Sequence, residues 1–136
     1  MPALHNIDEE LRIITTIWSG EATDSDLIEA LLKYQQDIRT QDDYCSYHEI
    51  VDFSEAGDFK LSTKGLRTLV QIAAGGDVRE IGTRLAIIVS SPFAYGLARM
   101  YETYRSFVPS VSKEVRIFKN LSDAREWIIG NPTTEP

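Results

Sequence analysis

The sequence predicts an α/β fold built as a single domain, with an N-terminal β-hairpin followed by alternating helices and strands. The run at 84–101 carries most of this prediction: Leu85 to Val89 is a short apolar segment typical of a strand buried on both faces. Ser91 and Pro92 follow it as an N-cap and a first helical residue, and apolar residues then recur at helical spacing. Strand-like and helix-like periodicities also alternate along the rest of the 136 residues.

The first third of the chain predicts two strands and a helix. Segments 3–7 and 11–18 read as strands joined by the acidic turn 8–10, and Ser19-Gly20 ends the second strand. Thr23 then caps a helix whose apolar stripe holds Leu27, Leu31, Tyr34 and Ile38, and a polar loop covers 37–43.

The remainder alternates strand and helix. A third strand is predicted over 47–53, with a turn around Gly57-Asp58. Ser62 or Thr63 opens a second helix that Gly75-Gly76 ends with a positive φ. The strand of 85–89 feeds a helix over 92–108, whose inward stripe is predicted at Phe93, Leu97, Met100, Tyr101 and Tyr104. A half-exposed edge strand at 114–118 and a last helix after Asn120 complete the set.

This order predicts a five-stranded mixed sheet with about four helices, mainly on one face. We assign 1–130 to the domain and 131–136 to a flexible C-terminal tail. The strands that begin near Leu11 and Leu85 carry apolar residues at both odd and even positions, which point to opposite faces of the sheet. Both faces of these strands therefore require burial. A second copy of the chain, an apolar ligand, a long loop or the N-terminal hairpin would each supply that cover. We expect a symmetric homodimer, because it is the commonest closed assembly.

Composition excludes several classes of partner. The formal charge is −7 and the pI is near 4.8, and Lys and Arg form no cluster, which argues against nucleic acid and anionic membrane surfaces. No apolar run approaches the length of a membrane span, so membrane insertion is not expected. The single Cys45 is typical of a reducing compartment, and the expected location is the cytoplasm.

Motifs of catalysis are weak in this chain. Cys45 and His48 have a Cys-x-x-His spacing, but a zinc site needs further ligands, so we interpret both as structural and expect no metal. His48 as a catalytic base lacks an accompanying nucleophile motif. The glycines at 75, 76 and 82 lack the context of a phosphate or dinucleotide loop, so no cofactor is expected.

Polar residues near the carboxyl ends of the middle strands form the candidate ligand or partner edge. Ligands of open α/β sheets bind in crevices at this end, where helix N-termini accept anions. The alternative is that the serines are ordinary helix caps and that Arg99 pairs with Glu102. The candidate edge comprises Asp52, Ser54, Ser90, Ser91, Tyr95 and Arg99.

Two groups of segments resemble the SpoIIAA-like branch of the STAS fold, the fold of anti-sigma-factor antagonists. The segments 94–102, 115–119 and 124–127 resemble small bacterial SpoIIAA-like proteins that are mostly uncharacterised. Val51-Asp-Phe-Ser54 and Leu61-Ser-Thr-Lys-Gly-Leu66 are similar to the strand and helix start that carry the phosphorylated serine of the antagonists. Matched on Gly65, that serine falls at Thr63, and the acidic residue before it falls at Ser62.

The resemblance implies a non-catalytic regulatory module that binds a protein partner, with Thr63 and Ser62 as candidate phosphorylation sites. Related SpoIIAA-like proteins are also compared with lipid-carrying domains, which supplies the alternative. In that reading the chain is a small carrier for an apolar or anionic ligand, held between the sheet and the helix at 92–108. An enzyme is the third reading. A deep apolar cavity favours the carrier, whereas a filled core with a flat polar edge favours the module.

Overall fold

A computed structural model describes residues 3–41, 43–75, 82–108 and 113–130. It forms one five-stranded sheet in the order β1-β2-β3-β4-β5, in which β1 pairs antiparallel with β2 and the other neighbours are parallel. The expected mixed sheet is therefore confirmed. The strands are β1 (Ala3–Asp8), β2 (Ile13–Thr23), β3 (His48–Lys60), β4 (Arg84–Ile88) and β5 (Glu114–Phe118). The α-helices are α1 (Asp24–Tyr34), α2 (Thr63–Gly75), α3 (Pro92–Ser106) and α4 (Leu121–Ile129).

The helices begin where the sequence predicts, because side chains cap them. Thr23, Ser91 and Asn120 each accept a hydrogen bond from the backbone N–H three residues later, and this satisfies a donor that the first helical turn leaves unpaired. Gly130 ends α4 in the left-handed conformation at φ +65°. The positive φ expected at Gly75 is absent, and Gly76 lies outside the described residues, as do 131–136 of the expected tail.

Two predicted strand ends are wrong: the second strand does not end at Ser19-Gly20, and the third does not end at residue 53 before a turn. β2 continues through Ser19-Gly20 to Thr23, and β3 continues through the expected Gly57-Asp58 turn to Lys60. The two extensions pair with each other, for example Ala22 with Phe59, across two register shifts. Pairing between strands far apart in sequence outweighs the local turn signal, and Gly20 at φ +89° accommodates one of the irregularities.

Alternation along β4 divides the core between the two faces of the sheet. Ala86 and Ile88 pack with Ala124 and Ile128 of α4 on one face. Leu85, Ile87 and Val89 pack with Ala94 and Ala98 of α3 on the other. Helices therefore lie mainly on one face, and α4 covers part of the second.

The expected inward stripe of α3 is wrong in part. Phe93 is 62% exposed and Met100 is 37% exposed, whereas Ala94 and Ala98 are buried against β4. The small side chains of Ala94 and Ala98 allow the backbone of α3 to lie close to the sheet, whereas the large side chains of Phe93 and Met100 are exposed to solvent. Leu97 and Tyr101 of the expected stripe are partly buried and line the space between α3 and the sheet.

Candidate functional site

A cavity of about 190 Å³ lies between the sheet and helices α1, α2 and α3. Its walls are mostly apolar and come from all of these elements, with Trp18 of β2, Leu66 of α2, Ile87 of β4 and Leu97 of α3 among them. The space is partly open to solvent, so a small molecule has a route into it. An apolar pocket with a few polar groups is the general form of a small-molecule site.

A buried polar cluster forms one part of the cavity lining, and Glu49 of β3 is its centre. Oε2 of Glu49 accepts a hydrogen bond from the Tyr34 hydroxyl at 2.7 Å and lies 2.7 Å from Nη1 of Arg39. Oε1 of Glu49 pairs with the ammonium group of Lys113. The Arg39 residue is 8% exposed and the Lys113 side chain 3%, so the ion pairs are shielded from solvent.

The chain positions these groups through two local features. Glu49 precedes Val51 and Phe53 at alternate positions of β3, which places it on the face that supports α3. After α1 the chain makes a π-helical turn, Gln35–Arg39, in which residues five apart are neighbours along the helix axis. Because of this turn, Tyr34 and Arg39 both reach the same carboxylate.

The environment keeps Glu49 ionised. Burial alone would raise the pKa of its carboxyl group, but Lys113 and Arg39 outweigh burial and lower the pKa to about 2. Burial, followed by the negative charge of Glu49, raises the pKa of Tyr34 well above its ordinary value, so the hydroxyl stays protonated and donates. Burial opposes the charge of Arg39, yet Glu49 raises the pKa of the guanidinium, which stays positive.

Two further ionisable residues line the cavity. Arg105, in the last turn of α3, is 5% exposed and adds a third cation to the lining. Nδ1 of His5 in β1 lies 2.7 Å from Oγ1 of Thr16, and the centroid of its ring lies 5.0 Å from that of Tyr34, with the two ring planes tilted by 31°. Burial lowers the pKa of His5, so the imidazole is neutral near pH 7.

The candidate phosphorylation sites lie at the N-terminus of α2. Thr63 is exposed, and Ser62 caps the helix by accepting from Gly65 N at 2.9 Å. Asp24 of α1 receives hydrogen bonds from both the amide and the hydroxyl of Ser62, at 2.9 and 2.5 Å. A carboxylate of this chain therefore already occupies the space at the helix start beside Ser62.

The candidate edge does not form a single crevice. Asp52 and Ser54 lie inside the long β3 rather than at its end, and Asp52 points to the α4 face because it alternates with Val51 and Phe53. Its Oδ1 accepts from the amide of Ser54 at 2.9 Å.

The other members of the candidate edge lie at the start and on the outside of α3. Ser91 caps the helix, and Ser90 is exposed beside it. Tyr95 and Arg99 contact each other, with Nη1 of Arg99 3.3 Å from the phenol oxygen, and Arg99 also pairs with Glu102 at 3.5 Å. Neither side chain lines the cavity described above.

Cys45 and His48 have structural contacts. Nδ1 of His48 accepts a hydrogen bond from the Arg84 amide at 2.9 Å, and the Cys45 carbonyl accepts from Nη2 of Arg39 at 2.7 Å. Burial, with the nearby charges of Arg84 and Lys113, lowers the pKa of His48. Within residues 3–41, 43–75, 82–108 and 113–130, no three His, Cys, Asp or Glu side chains are grouped as metal ligands.

Sequence reasoning missed the cavity cluster. Its members are far apart in the chain, and Lys113 and Glu49 are separated by 64 residues. One signal of the cluster was present in the sequence. Glu49 alternates with Val51 and Phe53 along the strand, so a charged side chain lies on the same face as apolar ones, where a further apolar residue is expected.

In the described part of the chain, no helix combines the length and apolar character needed to cross a bilayer.

Comparisons with known proteins identify the fold. No protein-family model matches the chain, and no curated protein matches it either. Among solved structures it is similar to an uncharacterised DUF3478-family protein from Shewanella loihica PV-4, described as having a SpoIIAA-like fold. The TM-score is 0.59 at 16% identity, and the match covers 93% of this chain and 91% of the other. The chain has the SpoIIAA-like fold, as its sequence resemblance implies.

Proposed function

We propose that the protein binds a small, largely apolar molecule in the cavity between the sheet and helices α1 to α3, as a carrier or sensor. The observation that supports this most is the cavity itself, about 190 Å³ with mainly apolar walls. An engineered apolar cavity of about 150 Å³ in another protein binds benzene, so this volume is sufficient for a ligand. A binding function of this kind corresponds to the carrier reading of the sequence.

The second support is where the space lies. Core clusters on both faces of the sheet are packed, and the α4 face is filled by Ile13, Ile50 and Ile128. On the other face, α3 approaches the sheet closely at Ala94 and Ala98, yet space remains beside them. Because the residues beside the cavity are closely packed, the space is not explained by a core that is loosely packed throughout. Its position favours a binding site for a ligand.

A matched pair of substitutions tests the proposal. Ala73 lines the cavity, whereas its neighbour Ala74 does not, so Ala73→Leu fills the space and Ala74→Leu makes the same change outside it. Binding of hexyl compounds is measured by the fluorescence of Trp18, a cavity residue, in a Trp127→Phe background that removes the signal from α4. We expect saturable binding that Ala73→Leu abolishes and Ala74→Leu retains. Equal binding by both variants, or none by the parent protein, would contradict the proposal.

A regulatory module is the second candidate, supported by the exposed Thr63 at the start of α2. A phosphate there would be favoured by the helix dipole and would alter a surface that meets a protein partner. Phosphate on Ser62 would instead meet the carboxylate of Asp24, so Thr63 is the better acceptor. Phosphopeptide mapping of the protein from its own cells is expected to find phosphate on Thr63. A permanently unmodified Thr63 would leave it as a residue of the first helical turn.

Homodimer formation and a cytoplasmic location stay predictions. On the sheet face that α4 covers in part, Leu4 is 69% exposed and pairs across β1 and β2 with Ile17, so apolar surface remains there. Light scattering is expected to give twice the mass of one chain. A monomer at high concentration would contradict the dimer.

A further inference from the structure

We propose that the ligand is a medium-chain amphiphile whose singly charged anionic head group, a carboxylate, binds Arg39 inside the cavity. This inference rests on the proposed binding function and adds the chemistry of the ligand to it. It is carried by the charges of the cavity lining, by one donor of Arg39 and by the size of the space.

Cationic side chains outnumber anionic ones among the described residues that line the cavity. Arg39, Lys113 and Arg105 line it together with a single carboxylate, that of Glu49. The whole chain carries a formal charge of −7, so the sign of this lining differs from that of the protein as a whole. A small anion entering the cavity would meet nearby positive charge in a largely apolar surrounding, where electrostatic attraction is stronger than in water.

Arg39 also presents a donor that the described residues leave unsatisfied. Nη1 lies against Glu49 and Nη2 donates to the Cys45 carbonyl, both at 2.7 Å. Nε is buried and has no hydrogen-bond partner within the described part of the chain. Buried N–H groups almost always have a partner, and a carboxylate is a strong acceptor for guanidinium donors.

The apolar walls and the volume limit the rest of the ligand. By proportion to the cavity of about 150 Å³ that holds benzene, a space of 190 Å³ accommodates roughly eight non-hydrogen atoms. The wall residues beside the charged cluster include Leu31, Leu69 and Leu85, which offer no groups for a polar tail. A short hydrocarbon chain with one anionic end fits both parts of the cavity.

Three probes of similar length but different charge test the inference on the unmodified protein. Hexanoate, 1-hexanol and hexylamine, which have seven or eight non-hydrogen atoms, are titrated at pH 7, with binding followed by amide chemical shifts. Because a charge-assisted hydrogen bond to a buried partner is strong, we expect hexanoate to bind about tenfold or more tightly than hexanol, and hexylamine to bind weakest. Hexanol binding as tightly as hexanoate would overturn the inference and leave the proposed function standing. No binding by any of the three would overturn both.

Variants of the cluster identify the residue that recognises the head group. Arg39→Met removes the donor and is expected to weaken hexanoate binding about tenfold while leaving hexanol binding unchanged. If this single variant does not fold, the double variant Arg39→Met with Glu49→Gln replaces it, because removing one charge of each sign avoids leaving a buried carboxylate with a weakened set of partners. The double variant is expected to show the same loss of preference for hexanoate. An unchanged hexanoate preference in a folded variant would show that Arg39 does not bind the head group.

Discussion

Glu49→Gln tests whether the buried cluster holds an ionised carboxylate. Glutamine keeps the size of the side chain and one oxygen for the Tyr34 hydroxyl, but it removes the charge that Arg39 and Lys113 share. Two buried cations then lose their common counter-ion, and removing one member of a buried ion pair is strongly destabilising.

The magnitude follows from the pKa of Glu49. The folded protein lowers it from 4.5 to about 2, and each unit corresponds to about 1.4 kcal/mol, so ionised Glu49 contributes about 3 kcal/mol at pH 7. A lowered pKa means that this contribution is complete above about pH 4.5 and is lost as the pH falls towards 2. At pH 3 about 1 kcal/mol of it remains by the same linkage relation.

Urea unfolding of the parent protein and Glu49→Gln at pH 7, 5, 4 and 3 measures the difference directly. We expect a gap of about 3 kcal/mol at pH 7 that narrows as the pH falls. Glu126→Gln, at an exposed position of α4, is the matched control and should change the free energy of unfolding by less than about 0.5 kcal/mol. A gap below about 1 kcal/mol at pH 7, or one that does not change with pH, would refute the reasoning.

Two further predictions concern helix N-termini. An added Cβ at Gly65 would lie 2.1 Å from Oδ1 of Asp24, so Gly65→Ala should displace that carboxylate from Ser62 and lower the free energy of unfolding by about 1 to 2 kcal/mol. In an Asp24→Ala background the same change should become stabilising, because alanine is the better helix former by about 1 kcal/mol, and the same sign in both backgrounds would disprove the clash. Ser91→Ala should cost about 1 kcal/mol in urea unfolding through loss of the α3 cap, whereas the exposed Ser90→Ala should cost less than about 0.5 kcal/mol; equal effects would show that the cap is unimportant.

Local signals were sufficient for much of the fold. β5 has the bounds that its alternating pattern predicts, and α4 begins after Asn120 because the side chain of that residue caps it. The extensions of β2 and β3 could not be read in this way. Each extension is stabilised by the other, as in the pairing of Ser19 with Glu55, and a turn signal within one segment does not report a distant partner.

Less of the candidate site than of the fold could be predicted from the sequence, because most of its contacts join residues that are far apart in the chain. The capping serine at 91 was predicted correctly because its hydrogen bond is local. The cluster around Glu49 instead depends on three elements meeting across the core, which no spacing in the chain encodes. Tyr34 was assigned to an apolar stripe, which is right for its ring, whereas its hydroxyl serves the polar cluster.

The π-helical turn after α1 links the charge of the cavity to the length of the chain. In a regular α-helix, a residue five positions after Tyr34 would lie about 140° around the axis, and Arg39 would be directed away from Glu49. Substitutions that favour regular winding at unchanged chain length would therefore carry the guanidinium out of the interior without any change to Arg39 itself. Deleting a single residue such as Gln36 would instead place Arg39 four positions after Tyr34, about 40° around a regular α-helix, and keep both side chains on the same side. The polarity of the cavity lining thus depends on whether the helix winding matches the number of residues in this turn.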